Sequence, residues 1–322
     1  MYTIKIQDRT IVPVDFNIFY DTAKVYKKNI RYSREYTITE NFFEELFCYI
    51  SNTSDDKVFI DMENIVSYPT RLFSRLQKYI DKIVIYNLNN KKIRQMLRED
   101  LERLYWTDDE LVAFGNGKEH DIKEELNKYC SESRQKEKIR IVKGIVSCRE
   151  KADQLLASSG LYSNCYVDVK KLFYSVDGYY YIIFSLAQEI HNNISKMQID
   201  AFVSSSKNGA IIANILGGLL DIKEVHLIGV GPKYSMELGD SVECIKKGKK
   251  YAYIFDFMCT GTELKIVSTL INSKKAYLPY AIGIARYRRK MKSCVVESID
   301  VLVDTEEMNI DYRIVGKSDN LI

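Results

Sequence analysis

Asp256, Thr260, Gly261 and Thr262 are the residues whose types and spacing point most directly to chemistry. An apolar run, Tyr251 to Phe255, ends at the Asp256 carboxylate. Four residues later a small, hydroxyl-bearing turn opens a helical segment, Glu263 to Ile271. Backbone N–H groups at such a helix start take a phosphate. Threonine hydroxyls add neutral donors, and a carboxylate accepts hydrogen bonds from ribose hydroxyls. The chemistry is the holding of a phosphorylated sugar. An ordinary strand–turn–helix joint capped by Thr has the same look, and short motifs produce false matches.

The elements around this segment alternate. Ala201 to Val203 reads as a strand, with Ser204, Ser205, Ser206, Lys207, Asn208 and Gly209 behind it and a helix opening at Ala210. Val225 to Val230 and Ala281 to Ala285 read as further strands, and Gly178 to Lys196 as a helix. Lys138 to Val146, Ile299 to Val303 and Tyr312 to Val315 also read as strands. Crossovers of this length predict a mainly parallel sheet, whose ligands sit at the carboxyl ends of the strands. Three loops leave those ends, at 204–209, 231–250 and 256–262.

Over about 150–290 the chain resembles the type I phosphoribosyltransferases, and most closely their orotate branch. Four landmarks carry the resemblance in order and spacing. The segment from Ser159, Gly160 and Leu161 through Tyr166, Val167 and Asp168 is similar to the family's stretch beside the base. Ser204 to Gly209 falls at the pyrophosphate loop. Phe255 to Glu263, with Cys259, Thr260, Gly261 and Thr262, falls at the sugar-phosphate signature. Ile284, Ala285 and Arg286 fall where that branch carries a base-reading arginine. The resemblance implies binding of phosphoribosyl pyrophosphate with Mg²⁺ carried on the ligand oxygens. It also implies catalytic roles for Asp256, facing the ribose, and for Lys233, near the departing pyrophosphate. The amides of 204–209 suit a pyrophosphate, Lys207 adds a point charge, and Arg286 can fork onto a base carbonyl. Taken singly, Lys207 also reads as a solvated lysine, and Arg286 as the start of a basic surface run.

The departures from the family pattern are specific. Phe255 stands where the signature has the first of two acids. Glu263 stands at a hydroxyl position and places negative charge at the mouth of the phosphate cradle. The loop from Gly231 to Asp240 keeps only Lys233 of the family's basic residues. Two readings therefore stay open. One is a binding or regulatory protein for phosphoribosyl pyrophosphate or a nucleotide, with reduced or lost turnover. The other is an active phosphoribosyltransferase joining ribose 5-phosphate to a pyrimidine-like base.

The first part of the chain is β-rich and then alternates, with strands at Tyr2 to Ile6, Thr10 to Val14, Lys57 to Asp61 and Lys82 to Tyr86. Helices are predicted over Glu40 to Ser51, capped by Thr39, over Ser67 to Tyr79 and over Asn90 to Glu99. Residues 35–105 resemble the STAS-like domains of bacterial regulatory and transport proteins. The resemblance rests on Val58 to Ile65, a strand ending in Asp61, and on Ile83 to Leu88, a strand ending at Asn87, followed by Lys92 to Leu97. It implies a regulatory or partner-binding module without chemistry of its own. Ser67 and Thr70 occupy the turn that carries a phosphorylated residue in such domains; helix capping accounts for both more simply. The expected organisation is an α/β chain with an N-terminal STAS-like module (1–115), a charged connector (116–137) and a mainly parallel-sheet phosphoribosyltransferase-like domain (138–322). A homodimer is allowed for.

Composition narrows the setting. The 322 residues are 46% hydrophobic and 28% charged, with a net charge of +3. This balance gives no indication of nucleic-acid or membrane binding. No apolar run is long enough to span a bilayer. Seven scattered cysteines without CxxC spacing argue against a disulfide framework or a zinc site and for a reducing cytoplasm. His120, His191 and His226 lie in unrelated contexts and read as structural; no metal ligands are assigned.

Overall fold

A computed structural model describes residues 1–7, 9–25, 31–149, 154–156, 161–230, 242–287 and 296–315. The chain is α/β and divides into two compact units, Met1–Glu137 and Lys138–Ile322. No described helix is long and apolar enough to cross a membrane.

The first unit is built on β1 (Ile4–Ile6), β2 (Arg9–Pro13), α1 (Val14–Val25), β3 (Tyr36–Thr37), α2 (Glu40–Asn52), β4 (Val58–Asp61), β5 (Ile65–Ser67), β6 (Ile83–Tyr86), α3 (Lys91–Asp100), β7 (Tyr105–Trp106), β8 (Val112–Phe114) and α4 (Glu119–Tyr129). Its main sheet has the order β1-β2-β4-β6-β8-β7. β2, β4 and β6 run parallel, and β1, β8 and β7 join by antiparallel pairing. β4 is buried along its whole length, as a strand covered on both faces must be. α2 buries Phe42, Phe43, Leu46 and Ile50, the three-and-four spacing of one helix face, and Thr39 Oγ1 caps it by accepting from the Phe42 amide at 3.2 Å.

Two expectations for this unit change. The predicted helix over Ser67 to Tyr79 begins instead as strand β5, which pairs with β3, and continues as a 3-10 helix over Phe73–Lys82. Neither Ser67 nor Thr70 caps that helix. Ser67 Oγ meets Thr37 Oγ1 at 2.7 Å, while Asp100 accepts from the amides of Arg71 (3.0 Å) and Phe73 (3.1 Å). An acid 27 residues from Phe73 does the capping, which no local pattern announces.

The strand ends at Asp61 and Asn87 have a physical task here. Asn87, with φ 60°, donates from Nδ2 to Asp61 Oδ1 at 2.8 Å and ties the carboxyl ends of neighbouring strands. Asp61 and Asp15 are 1% and 0% exposed. Both are held by Arg134, through Nε to Asp61 Oδ2 (2.9 Å) and through the two terminal nitrogens to Asp15 (2.8 and 3.2 Å). Arg134 belongs to α5 (Ser133–Lys143), whose opening turn completes the first unit beyond residue 115. Burial pushes the Asp15 carboxyl above its ordinary range, against the pull of the guanidinium.

α5 is itself a difference from expectation, since Lys138 to Val146 reads as a strand. Its β-branched Ile139, Ile141 and Val142 suggest β structure. Yet Ser133, Glu137 and Ile141 are all buried at four-residue spacing, a helical face.

The second unit continues with β9 (Val146–Cys148), β10 (Gln154–Leu156), β11 (Leu161–Ser163), β12 (Cys165–Val167), α6 (Val176–Met197), β13 (Ala201–Ser204), α7 (Lys207–Leu220), β14 (Val225–Leu227), β15 (Lys250–Met258), α8 (Thr262–Ser273), β16 (Tyr277–Arg286), β17 (Ser298–Asp304) and β18 (Ile314–Val315). A five-stranded sheet of order β14-β13-β15-β16-β17 is parallel throughout. On one face Tyr251, Tyr253 and Phe255 of β15 pack against Leu264, Val267 and Ile271 of α8.

Cys148 and Cys165 form a disulfide, contrary to the expectation drawn from cysteine spacing. They stand directly opposite each other in the antiparallel β9–β12 ladder. A sequence separation of 17 carries no such signal; only strand pairing brings the two together.

Candidate functional site

The site is built where β13 and β15 end. β13 passes through Ser205 into α7, whose cap is Ser206: its Oγ accepts from the Gly209 amide at 3.0 Å. Gly209 is needed sterically, because a Cβ there would stand 2.2 Å from Ser204 Oγ and 3.0 Å from the Ile254 carbonyl. Only a glycine lets the first turn of α7 lie against the strands. β15 carries Asp256 near its carboxyl end and leads to Gly261. Gly261 has φ 70°, a left-handed conformation that favours glycine, and stands at the cap position of α8 with no side-chain cap hydrogen bond.

These elements enclose a cavity of about 290 Å³ lined by Asn208, Asp256, Phe257, Cys259, Thr260, Gly261, Thr262 and Glu263, with Tyr166 and Tyr312 on its wall. The Asp256 carboxylate accepts from Ser206 Oγ and Asn208 Nδ2, each at 3.3 Å, and from the Phe257 amide at 2.9 Å. Glu263, in the first turn of α8, accepts from Ser205 Oγ at 2.5 Å, and the same Ser205 oxygen lies 2.5 Å from the Tyr253 hydroxyl. The acid is therefore turned into the site and ties the loop after β13 to α8. Burial, and then the Glu263 charge, push the Tyr253 phenol far above its ordinary range, so it stays a neutral hydrogen-bonding group. Thr260 and Thr262 join hydroxyl to hydroxyl at 2.9 Å.

Cys259 Sγ meets the Tyr312 hydroxyl at 2.8 Å, and burial pushes the thiol up to about 11. A thiol that remains protonated at neutral pH is no nucleophile. The Tyr312 ring lies 5.6 Å from Phe257 and 4.8 Å from Tyr287, forming an aromatic wall.

Of the residues singled out from sequence, Asp256, Cys259, Thr260, Gly261, Thr262 and Asn208 come together on the cavity, with Ser205 and Ser206 bonded to its two acids. Ser204, Lys207, Gly209 and Arg286 do not line it. The Ser204 hydroxyl turns back on its own loop, 3.3 Å from the Ser206 carbonyl. Lys207 is exposed at the first position of α7. Arg286 pairs with its register neighbour Asp304, Nε to Oδ1 at 2.8 Å, and reaches the Ile299 carbonyl. Lys233, Ser159 and Gly160 lie outside the described residues. Tyr312 and Tyr253 went unnoticed in sequence. Tyr312 arrives from 53 residues beyond Cys259 and has no spacing signal.

Phe255 is 3% exposed, stacks on Tyr253 and lies over Gly283, where an added Cβ would stand 2.2 Å from its ring. An acid at this position, where the family pattern has one, would take the place of a packed ring at the edge of the cavity. It would bury an unpaired carboxylate and leave the ring's space unfilled. We expect Phe255→Asp to cost at least about 4 kcal/mol, read as a collapse of thermal stability; a variant as stable as the parent would refute this packing argument.

The described residues on the cavity include two carboxylates and no lysine, arginine or histidine. Attraction for an anion there comes from backbone amides and hydroxyls, with Glu263 opposing it.

No family model and no curated protein matches this sequence. Among solved structures, the chain is similar to the orotate phosphoribosyltransferase of Aeropyrum pernix, at 15% identity and a TM-score of 0.39, over 53% of this chain and 96% of that one. It is similar to the adenine phosphoribosyltransferase of Rhodothermus marinus, at 12% identity and a TM-score of 0.40, over 52% and 98%. The UMP synthase of Leishmania donovani is similar over 92% of this chain and 76% of that one, at 11% identity and a TM-score of 0.40.

Proposed function

We propose that the second unit binds a phosphoribosyl ligand, phosphoribosyl pyrophosphate or a nucleotide, and acts as a regulatory module with reduced or lost turnover. One observation carries the reading: the Asp256 carboxylate and the uncapped start of α8 open on the same cavity. A phosphate at the α8 amides and a ribose within reach of Asp256 match the chemistry of those groups. The aromatic wall of Phe257, Tyr166 and Tyr312 suits a flat base.

Loss of turnover follows from charge. Phosphoribosyl transfer develops positive charge on the ribose and negative charge on the departing pyrophosphate, and both need stabilisation. Asp256 serves the first. For the second, the described lining offers no cationic side chain, and Glu263 works against it. Asp256 also keeps the second reading in play, an active phosphoribosyltransferase acting on a pyrimidine-like base. Mg²⁺ takes oxygen ligands and keeps several waters. Asp256 and Glu263 are suitable donors, but among the described residues no group of three or more His, Cys, Asp or Glu could hold an ion. The ion would ride mainly on the ligand's phosphates. The first unit, read as STAS-like, would carry the response to a protein partner in a cytoplasmic setting, and assembly as a homodimer belongs to the same proposal.

Thermal shifts with phosphoribosyl pyrophosphate, orotate and nucleoside monophosphates, each with and without Mg²⁺, test the reading. A ligand at a hundred times its Kd stabilises by about 2.7 kcal/mol, a shift of several degrees. We expect that shift from a phosphorylated ribose and not from orotate alone. No shift from any phosphorylated ribose would remove the proposal.

A further inference from the structure

We propose that the Cys148–Cys165 disulfide is a redox control on the cavity of Asp256: oxidised, it holds the aromatic wall in place; reduced by a dithiol, it lets that wall loosen and ligand affinity fall. The inference rests on the ligand-site reading above. β9 and β12 form a two-stranded sheet of only three residue pairs, Val146 with Val167, Ser147 with Tyr166 and Cys148 with Cys165. Backbone bonds from the Arg149 amide to the Asn164 carbonyl and from the Asp168 amide to the Ile145 carbonyl extend it at either end. An isolated pair of short strands is marginal in water, so a covalent link across it carries weight. All three residues of β12 line the cavity.

The link reaches further through Asn164, the neighbour of Cys165. Its side chain donates to the Asp311 carbonyl at 2.7 Å and accepts from the Arg313 amide at 2.6 Å. These bonds fix the residues on both sides of Tyr312, whose hydroxyl meets Cys259 in the turn before α8. Tyr166 and Tyr312, two of the three tyrosines that line the cavity, thus hang on the strand that the disulfide anchors.

The two sulfurs are placed unequally. Cys148 is exposed and Cys165 is 1% exposed. One thiolate of a dithiol reductant attacks Cys148 Sγ, the sulfur–sulfur bond breaks, and Cys165 leaves with the electron pair and takes up a proton. The second thiol of the reductant then displaces Cys148 from the mixed disulfide. The protein gains two electrons and two protons, and the reductant becomes a disulfide. The Asp311 carbonyl, 3.8 Å from Cys165 Sγ, is an acceptor for the new thiol. Cys259 is a poor internal competitor, because its buried thiol stays protonated.

The test uses the full chain, oxidised and after treatment with dithiothreitol. Hydrogen exchange is measured over 146–148 and 162–167, and affinity for phosphoribosyl pyrophosphate with Mg²⁺ by calorimetry. Reduction should speed exchange in both segments at least about tenfold and weaken binding at least about fivefold, both reversed by reoxidation. Cys148→Ser and Cys165→Ser should behave as the reduced protein under either condition, and Cys48→Ser, at an exposed cysteine of α2 outside the cavity lining, should keep the response. Equal affinity in the two redox states, unchanged exchange, or a response that persists in Cys148→Ser overturns the redox control alone. Absence of binding even in the oxidised protein overturns the ligand-site reading, and the control of binding with it.

Discussion

Gly261→Asp is expected to weaken binding of phosphoribosyl pyrophosphate at least about a hundredfold, about 2.7 kcal/mol, while leaving the protein folded. The residue stands at the cap of α8 with φ 70°, a conformation that Asp adopts more readily than most residues. An aspartate at that cap accepts from the first-turn amides and fills the anion position with its own charge. Gly261→Asn separates charge from strain, since it brings the same shape without the negative charge and should retain much more of the affinity. Calorimetry on the two variants decides between them. Unchanged affinity in Gly261→Asp would place the ligand elsewhere and remove the central claim about this cavity. Turnover is a separate question with its own variant. Robust pyrophosphate release by the parent, abolished by Asp256→Asn, would overturn the regulatory reading and leave an enzyme.

Arg134→Met should have the largest effect on stability in the first unit. The guanidinium is the shared partner of Asp15 and Asp61, both buried, and also meets Glu63. Its removal leaves two buried carboxylates without their cation. Breaking a buried pair in this way costs about 3–5 kcal/mol, which lowers the melting temperature by about 10 °C for a unit of this size. Arg134→Lys should recover only part of the loss, because an ammonium cannot bond Asp15 through two nitrogens while bonding Asp61 through a third. Adding Asp15→Asn and Asp61→Asn to Arg134→Met should recover more, since it takes away the unpaired charges. Scanning calorimetry reads all three variants. A melting temperature within about 2 °C of the parent for Arg134→Met would show that water, and not Arg134, solvates these acids.

Both predictions join what could be read locally to what could not. The strands at 58–61, 83–86 and 201–204 and the long helix over 176–197 were legible because apolar runs and helical periodicity leave a local trace. Asp256 and the turn through Gly261 were legible for the same reason: a strand end, a small turn and a helix start are consecutive in sequence. The helical state of Ser133–Lys143 was not legible, because its β-branched residues point the other way and only burial of Ser133, Glu137 and Ile141 on one face decides.

The amino-acid sequence by itself determined the α/β class, most of the strand and helix positions, and the segment that forms the floor of the cavity. Tertiary structure decided what each charged or reactive group does, because partners are chosen across distances that sequence spacing does not encode. It set Arg286 against Asp304 and left Asp256 to Ser206 and Asn208. It turned Glu263 inward to Ser205, 58 residues away, and buried Phe255 over Gly283. It also brought Cys148 opposite Cys165. In each case packing and strand register fixed the neighbour, and the neighbour fixed the chemistry.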